Sequence, residues 1–517
     1  MNDCDGYQDR VVRLDGETLT LDKVVLVARG RARTGLTADA RERMAGSRTR
    51  LDRMLAGGAT IYAVNTGVGD LVDVRIPPGD LQALQVNLLR SHACAVGEPF
   101  STEVVRAMIV LRANALSKGY SGVRPEIVEL LVEMLNRGVH PVVPRQGSVG
   151  SSGDLALLAH LGLVLIGEGS ADSGGGVEAG AIALARKHLE PIVLGPKEAI
   201  SLINGTQAMT ALGSLAAADA ARLADNAQIA AAMSLEALRG TSAAFDPKIS
   251  QVRPHKGQLS VSRNMMSLLQ DSEIMQSHRH CSKVQDAYTL RCIPQVIGAS
   301  IDAIRYASDV LTVEMNSATD NPLFFPEEGE VMSGGNFHGQ PVAIAMDFLA
   351  LAVHEIGSFS ERRIARLVDH KLSGLPPFLT SRSGLSSGMM VPQYVAASIV
   401  SENKSLVHPA SSDSIPTSAN QEDHNSMGTT AAWKARNMVK NVRLVLAIEM
   451  IVAAQGLDFI QLHSSPAVES VKSALRAEVA RLDEDKSLSD DIEKVAGMIA
   501  DGVFLDAVGR GCGFDRA

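Results

Sequence analysis

A chain of 517 residues exceeds the ~100–200 residues of one ordinary domain and can bury a sizeable core without disulfides or metal. Hydrophobic residues make up 45 % and charged residues 21 %, a balance that argues against disorder. The formal net charge is −9 with no cluster of Lys and Arg, which argues against nucleic-acid binding, because neutralising phosphates needs grouped cations.

Aromatic residues are only 3 %, with one Trp, so the core must be assembled from Ala, Leu, Val, Ile and Met. Such a composition favours helices packed closely together. The cysteines, Cys4, Cys94, Cys281, Cys292 and Cys512, contain no CxxC pair and suit a reducing compartment. Residues Met1–Arg10 are polar and acidic, unlike a signal peptide. The apolar run Leu155–Gly167 carries His160 and is shorter than the ~20 residues a bilayer span needs. Another apolar stretch, Val445–Gly456, is interrupted by Glu449. A cytoplasmic protein without a membrane partner is expected. The segment His278-Arg-His280-Cys281 offers too few ligands at loop spacing for a structural metal site, and no metal is expected.

In chain order, Val11–Leu14 and Thr18–Leu21 read as short β-like stretches within a region that also holds a helical segment. From about residue 80 to 140 apolar residues recur at helical spacing: Leu81, Leu84, Leu88 and Leu89, then Val104–Ala115, then Ile127–Leu135. Pro141, Pro144 and the small residues Gly147–Gly153 break this pattern as a loop. A helix over Asp154–Gly167 follows, and the Gly/Ser stretch Gly169–Gly180 is expected as a surface loop or linker. Beyond it the helices lengthen, over Ala208–Ala237, Ile293–Met315, Ala343–Leu367 and Thr429–Gly456. Long helices joined by polar loops imply a bundle. The expected fold is therefore mainly α, a long central helical bundle with a mixed N-terminal region. Its domains are expected as 1–195 carrying the small-residue loop, 196–465 forming the bundle, and 466–517 as a C-terminal helical segment. Loops on a rigid scaffold are where function collects. Here they are Gln285–Arg291, Asn316–Asn321, Ser333–His338 and Pro416–Asn425.

The most informative loop is Gly147-Ser-Val-Gly150-Ser151-Ser152-Gly153-Asp154. One reading is a Ser/Gly turn that caps the following helix, with Asp154 favoured at the positive end of the helix dipole. A chemical reading also exists. In a tight X-Ser-Gly bend the Gly amide nitrogen can attack the carbonyl of residue X, and Gly suits this because it has no Cβ. Loss of two waters, one carrying off the Ser hydroxyl, leaves a methylidene-imidazolone ring. That group is an electrophile of a kind no ordinary side chain supplies.

The run GSVGSSGDLALLAH resembles the signature of the aromatic amino acid ammonia lyases and aminomutases, and most of all their histidine-acting branch. The resemblance extends from about Asp15 to Phe504. Its further motifs stand here as Tyr62–Gly69, Asn87–His92, Leu202–Gln207, Val284–Arg291, Asp320–Pro322, Gly334–His338 and Gln421–His424. The resemblance implies a mostly helical fold of the ammonia-lyase/aspartase type and a homotetramer with active sites shared between subunits. It also implies a 4-methylidene-imidazol-5-one formed autocatalytically from Ser151-Ser152-Gly153, with Ser152 supplying the methylidene carbon.

By the same resemblance Tyr62 is the base that removes a weakly acidic β-proton. A phenol has a pKa near ~10, so such a base works only where its surroundings favour the phenolate. Arg291 is expected to grip the substrate carboxylate through its planar fork. Asn204 and Tyr288 position the amine and the ring, while Gln285, Asn321 and Phe337 line the same pocket. Asp154 either polarises the cyclisation or caps its helix. By the resemblance His92 lines the substrate site but is shared with tyrosine-acting relatives, so substrate choice falls chiefly to Glu422. A carboxylate accepts an imidazole N–H, whereas a phenyl ring would leave it unpaired. The expected reaction is deamination of L-histidine to trans-urocanate and ammonia.

The chain departs from the family pattern in places. Residue 151 is Ser where Ala is usual, which adds a hydroxyl beside the reactive centre. Leu157 stands where Pro is usual, and Met389–Tyr394 differs from the histidine-acting pattern. Parts of Glu314–Phe325 and Asn336–Phe348 look closer to tyrosine aminomutases. A histidine 2,3-aminomutase making β-histidine is the alternative outcome, followed by a tyrosine lyase or aminomutase. A non-enzymatic relative that keeps only the scaffold is disfavoured by retention of Tyr62, Ser152, Gly153 and Arg291.

Overall fold

The computed structural model describes residues 10–67, 71–278, 284–509 and 512–516. Gly69 of the Tyr62 motif, His280 and Cys281 of the His-Arg-His-Cys segment, Cys4 and most of the N-terminal segment lie outside the described residues.

The long helices form where the apolar spacing places them. They run over Gln207–Ala237, Ile293–Glu314, Gln340–Val368 and Gly428–Leu457. The helix Gln207–Ala237 has 31 residues, roughly 46 Å at 1.5 Å per residue. Most of its small Ala side chains, among them Ala208, Ala216, Ala220 and Ala230, are fully buried. Helices Leu81–His92, Thr102–Ser117 and Pro125–Arg137 fill the periodic region before the small-residue loop, and Leu155–Leu165 follows it.

Two local readings are corrected. Thr18–Leu21 is not a strand. Thr20 caps the helix Leu21–Ala28, its hydroxyl accepting from Lys23 N at 3.3 Å, so an alternating Thr-Leu pair marks a helix start. The Gly/Ser stretch after residue 169 is not a plain loop. Ser170–Asp172 and Val177–Ala179 pair antiparallel, and His140–Pro141 adds a third strand. Glu178 helps hold the pair, bonded by Ser173 Oγ at 2.7 Å and bridged by Arg186. The expected strand Val11–Leu14 does form, in parallel register with Arg33–Leu36.

By contact the chain divides into two compact units. One contains Met1–Leu215, Ser308–Asp347 and Pro409–Trp433; the other contains Ala216–Ala307, Phe348–His408 and Lys434–Ala517. This partition is interleaved along the chain. The consecutive segments 1–195, 196–465 and 466–517 remain a proposal about linear organisation. In the first unit Leu51, Ile61, Val64 and Phe324 form one buried cluster. In the second, Glu449, which interrupts the apolar stretch, is wholly buried opposite Arg363. Arg363 donates to both carboxylate oxygens, at 2.5 and 2.8 Å, and Ser234 and Ser360 add hydroxyl donors at 2.7 and 2.6 Å. A buried charge of this kind survives only when paired and hydrogen-bonded.

The helix Gln340–Val368 is long and apolar enough to cross a membrane by length and composition, a feature the sequence reading passed over. Its most apolar window is 61 % buried inside the protein, as in the core helix of a globular fold.

Candidate active site

The small-residue loop enters the first unit as a tight bend ahead of Leu155–Leu165. Gly153 has φ +76°, and a Cβ there would lie 2.2 Å from the Gly205 carbonyl oxygen, so no larger residue fits without displacing backbone. Gly153 and Gly205 form an isolated parallel bridge, and Asp154 N donates to Gly205 O at 2.7 Å. Asn204 Nδ2 donates to Ser152 O at 2.8 Å. The bend is thus clamped by the segment 204–205.

That segment is held from behind by Arg112, which is 1 % exposed. Arg112 Nη1 donates to Asn204 O at 3.0 Å and to Gln207 Oε1 at 2.7 Å, and Nη2 donates to Ser201 O. Burial pushes the guanidinium down to about 10, opposed by the charge of Asp320. Sequence reasoning missed Arg112, because an Arg inside an apolar helix pattern carries no local signal of its partners.

Asp154 is fully buried and does not cap its own helix. Its Oδ2 accepts from Ala208 N and Met209 N, both at 2.9 Å, at the start of the helix Gln207–Ala237. Its Oδ1 accepts from Ser148 Oγ at 2.8 Å and from Thr429 Oγ1. Burial raises the carboxyl pKa despite these four bonds.

A cavity of about 510 Å³ opens over the bend. Tyr62, His92, Ser152, Asn204, Asn321, Phe337 and Glu422 all line it, as do Ile200, Val72 and Ser418. Seven of the sequence-derived candidates therefore meet in one place. Asn204 Oδ1 is buried with no hydrogen-bond partner among the described residues. Asn321 Oδ1 accepts from Gly334 N at 2.8 Å, so this residue braces a wall of the cavity.

Glu422 is half-buried and highly bonded. Ser152 Oγ donates to Oε1 at 2.9 Å, Thr417 Oγ1 to Oε2 at 2.7 Å, and Ser151 Oγ also to Oε2. Burial pushes this carboxyl up, but the bonds from Ser151, Thr417 and Ser152 and the charge of His92 outweigh it and hold the pKa below the usual value. Thr417 was not singled out from sequence, although it sits in the polar loop with Glu422. His92 Nδ1 lies 2.9 Å from Leu88 O. A carbonyl can only accept, so Nδ1 carries the proton and Nε2 presents a lone pair. Burial lowers the His92 pKa, opposed by the Leu88 bond and the charge of Glu422.

Gln285, Tyr288 and Arg291 belong to the other unit, and none lines this cavity. Gln285 and Tyr288 are exposed. Arg291 Nε donates to Asp286 O at 3.0 Å, and its guanidinium stacks 4.5 Å from the Tyr288 ring centroid.

A helical scaffold here clamps a Ser-Ser-Gly bend against a polar cavity. Residues 19–477 match the aromatic amino acid lyase family, and the chain belongs to it. A histidine ammonia-lyase of Gloeobacter violaceus is 55 % identical over 97 % of this chain and 98 % of its own length. The crystal structure of histidine ammonia-lyase from Trypanosoma cruzi is 42 % identical, with a TM-score of 0.91 over 98 % of this chain and 97 % of that one. Tyrosine aminomutase from Streptomyces globisporus is 38 % identical, with a TM-score of 0.93 over 98 % of this chain and 100 % of its own.

Proposed function

We propose that this enzyme deaminates L-histidine to trans-urocanate and ammonia, with Ser151-Ser152-Gly153 cyclised to 4-methylidene-imidazol-5-one. The observation that carries the reading is the Glu422 carboxylate in the same cavity as Ser152, Tyr62 and Asn204. The tripeptide fits the ring: Gly153 sits in a cradle that a Cβ would fill, and the orphaned Asn204 Oδ1 waits beside it. When formed, the ring supplies an electrophilic carbon that makes the substrate amine a better leaving group.

The side chains do the remaining work. Glu422 accepts the imidazole N–H of the substrate, which selects histidine over a ring with no polar edge. Asn204 Oδ1 accepts from the amine, while its Nδ2 keeps the Ser152 carbonyl in place. Tyr62 Oη takes the β-proton as the Cα–N bond breaks and the Cα–Cβ double bond forms. Gln285, Tyr288 and Arg291 serve the cavity of another subunit in a homotetramer, a role that suits an exposed aromatic ring with a half-buried guanidinium stacked on it. A reducing, cytoplasmic setting suits the free Cys94, Cys292 and Cys512.

The test is product identification with purified protein and L-histidine, alongside intact mass. Urocanate as the main product, a mass two waters below the sequence mass, and loss of turnover in Ser152→Ala are expected. An unmodified mass with full turnover overturns the cofactor assignment. The likeness to a tyrosine aminomutase supports one other outcome, retention of ammonia and its return to Cβ. β-Histidine as the chief product, with free urocanate at background, replaces the lyase reading by that one.

A further inference from the structure

The Ser151 side chain has no part in the chemistry above, yet its direction is defined. Ser151 is 7 % exposed, and its Oγ donates to Glu422 Oε2. Thr417 Oγ1 donates to the same oxygen at 2.7 Å, whereas Oε1 receives only Ser152 Oγ, at 2.9 Å, among the described residues. A carboxylate oxygen has two lone-pair sites. Oε2 is therefore saturated, and closing the ring removes the one hydroxyl that occupies Oε1.

We propose that Ser151 is a positioning residue: with Thr417 it fixes Glu422 Oε2 and leaves Oε1 as the oxygen that receives the substrate imidazole N–H. The two hydroxyls come from segments far apart in sequence, one on the ring tripeptide and one on the loop that carries Glu422. Together they tie the specificity carboxylate to the electrophile, so that ring position and carboxylate position vary as one. This deepens the histidine reading and rests on it.

The probes are imidazole-4-propionate, which lacks the amine and cannot be deaminated, and 3-phenylpropionate, whose ring offers no N–H. Binding to wild type, Ser151→Ala and Ser151→Thr is measured by calorimetry, with intact mass reporting ring formation in each. Ser151→Ala is expected to weaken imidazole-4-propionate about tenfold, the size of one hydrogen bond to a charged group, and to leave 3-phenylpropionate unchanged. With L-histidine the loss falls on KM more than on kcat, and Ser151→Thr restores both binding and KM. The comparison is repeated between Ser152→Ala and the Ser151→Ala/Ser152→Ala double variant. Neither of these proteins can form the methylidene, and intact mass shows whether either still closes the ring, so a maturation defect cannot imitate the effect. Equal binding of imidazole-4-propionate in both pairs, or equal loss for both probes, overturns the proposal. A wild type that makes no urocanate and carries no mass change refutes the histidine reading instead, and the two failures are told apart by the wild-type control.

Discussion

Replacing Asp154 separates two roles that one carboxylate can play beside a cyclising tripeptide. In Asp154→Ala the N–H groups of Ala208 and Met209 lose their acceptor at 2.9 Å inside a wholly buried site. Each orphaned amide costs ~1–3 kcal/mol. The hydroxyls of Ser148 and Thr429 lose less, because they already lie 3.0 Å apart and can bond each other. For the two amides the sum is about 2–6 kcal/mol. Asp154→Asn behaves differently. Its amide oxygen still accepts from both N–H groups, and its NH₂ meets two hydroxyls that can turn to accept. Burial disfavours the charged form of Asp154, so a neutral isostere removes a desolvation cost as it weakens the bonds. A loss of about 1 kcal/mol or less follows for Asp154→Asn. The assays are urea unfolding, read by far-UV circular dichroism at fixed protein concentration, and intact mass. If capping is the role, Asp154→Asn folds with near-wild-type stability and still sheds two waters. An Asp154→Asn protein that is stable but keeps the full sequence mass refutes the capping role and assigns the carboxylate to the cyclisation chemistry. Equal destabilisation by Asn and Ala refutes the bonding ledger itself.

Glu422→Gln should cut kcat/KM for histidine by roughly 10- to 100-fold more than any residual turnover of tyrosine; equal losses on both substrates would give Glu422 a structural role. Lys197 and Asp320 form an ion pair at 3.0 Å with side chains 0 % and 1 % exposed. Lys197→Met should cost about 3–5 kcal/mol by stranding the carboxylate, and adding Asp320→Leu should recover part of that loss, both read from the urea midpoint. Burial and the Arg106 guanidinium push His140 down to about 4 from 6.5. A pKa lowered on folding contributes stability that is complete above pH 6.5 and lost as pH falls towards 4. About 2 kcal/mol should disappear across that window after allowing for its partial exposure. His140→Gln should flatten this part of the stability–pH curve, and an unchanged curve would refute the assignment.

Much of this protein is written locally. Apolar spacing and Ala-rich composition place the helices Gln207–Ala237 and Gly428–Leu457 to within a residue at each end, because a helix is made of contacts three and four positions apart. Ser152-Gly153 is legible for the same reason, since cyclisation involves neighbouring residues. Tertiary structure decided whatever depends on partners distant in sequence. Thr18–Leu21 alternates like a strand, yet among the described residues no strand pairs with it, and Thr20 opens a helix instead. The stretch around Gly174 has the composition of a linker, but alignment of Ala171 with Glu178 turns it into a hairpin. Asp154 stands at the head of one helix and caps another more than 50 positions away. The Ser151 hydroxyl finds Glu422 across a separation of 271 positions. Neither direction is encoded in the loop itself. A side-chain hydrogen bond requires only that two atoms meet within about 3 Å, and which atoms meet is settled by how the whole chain packs.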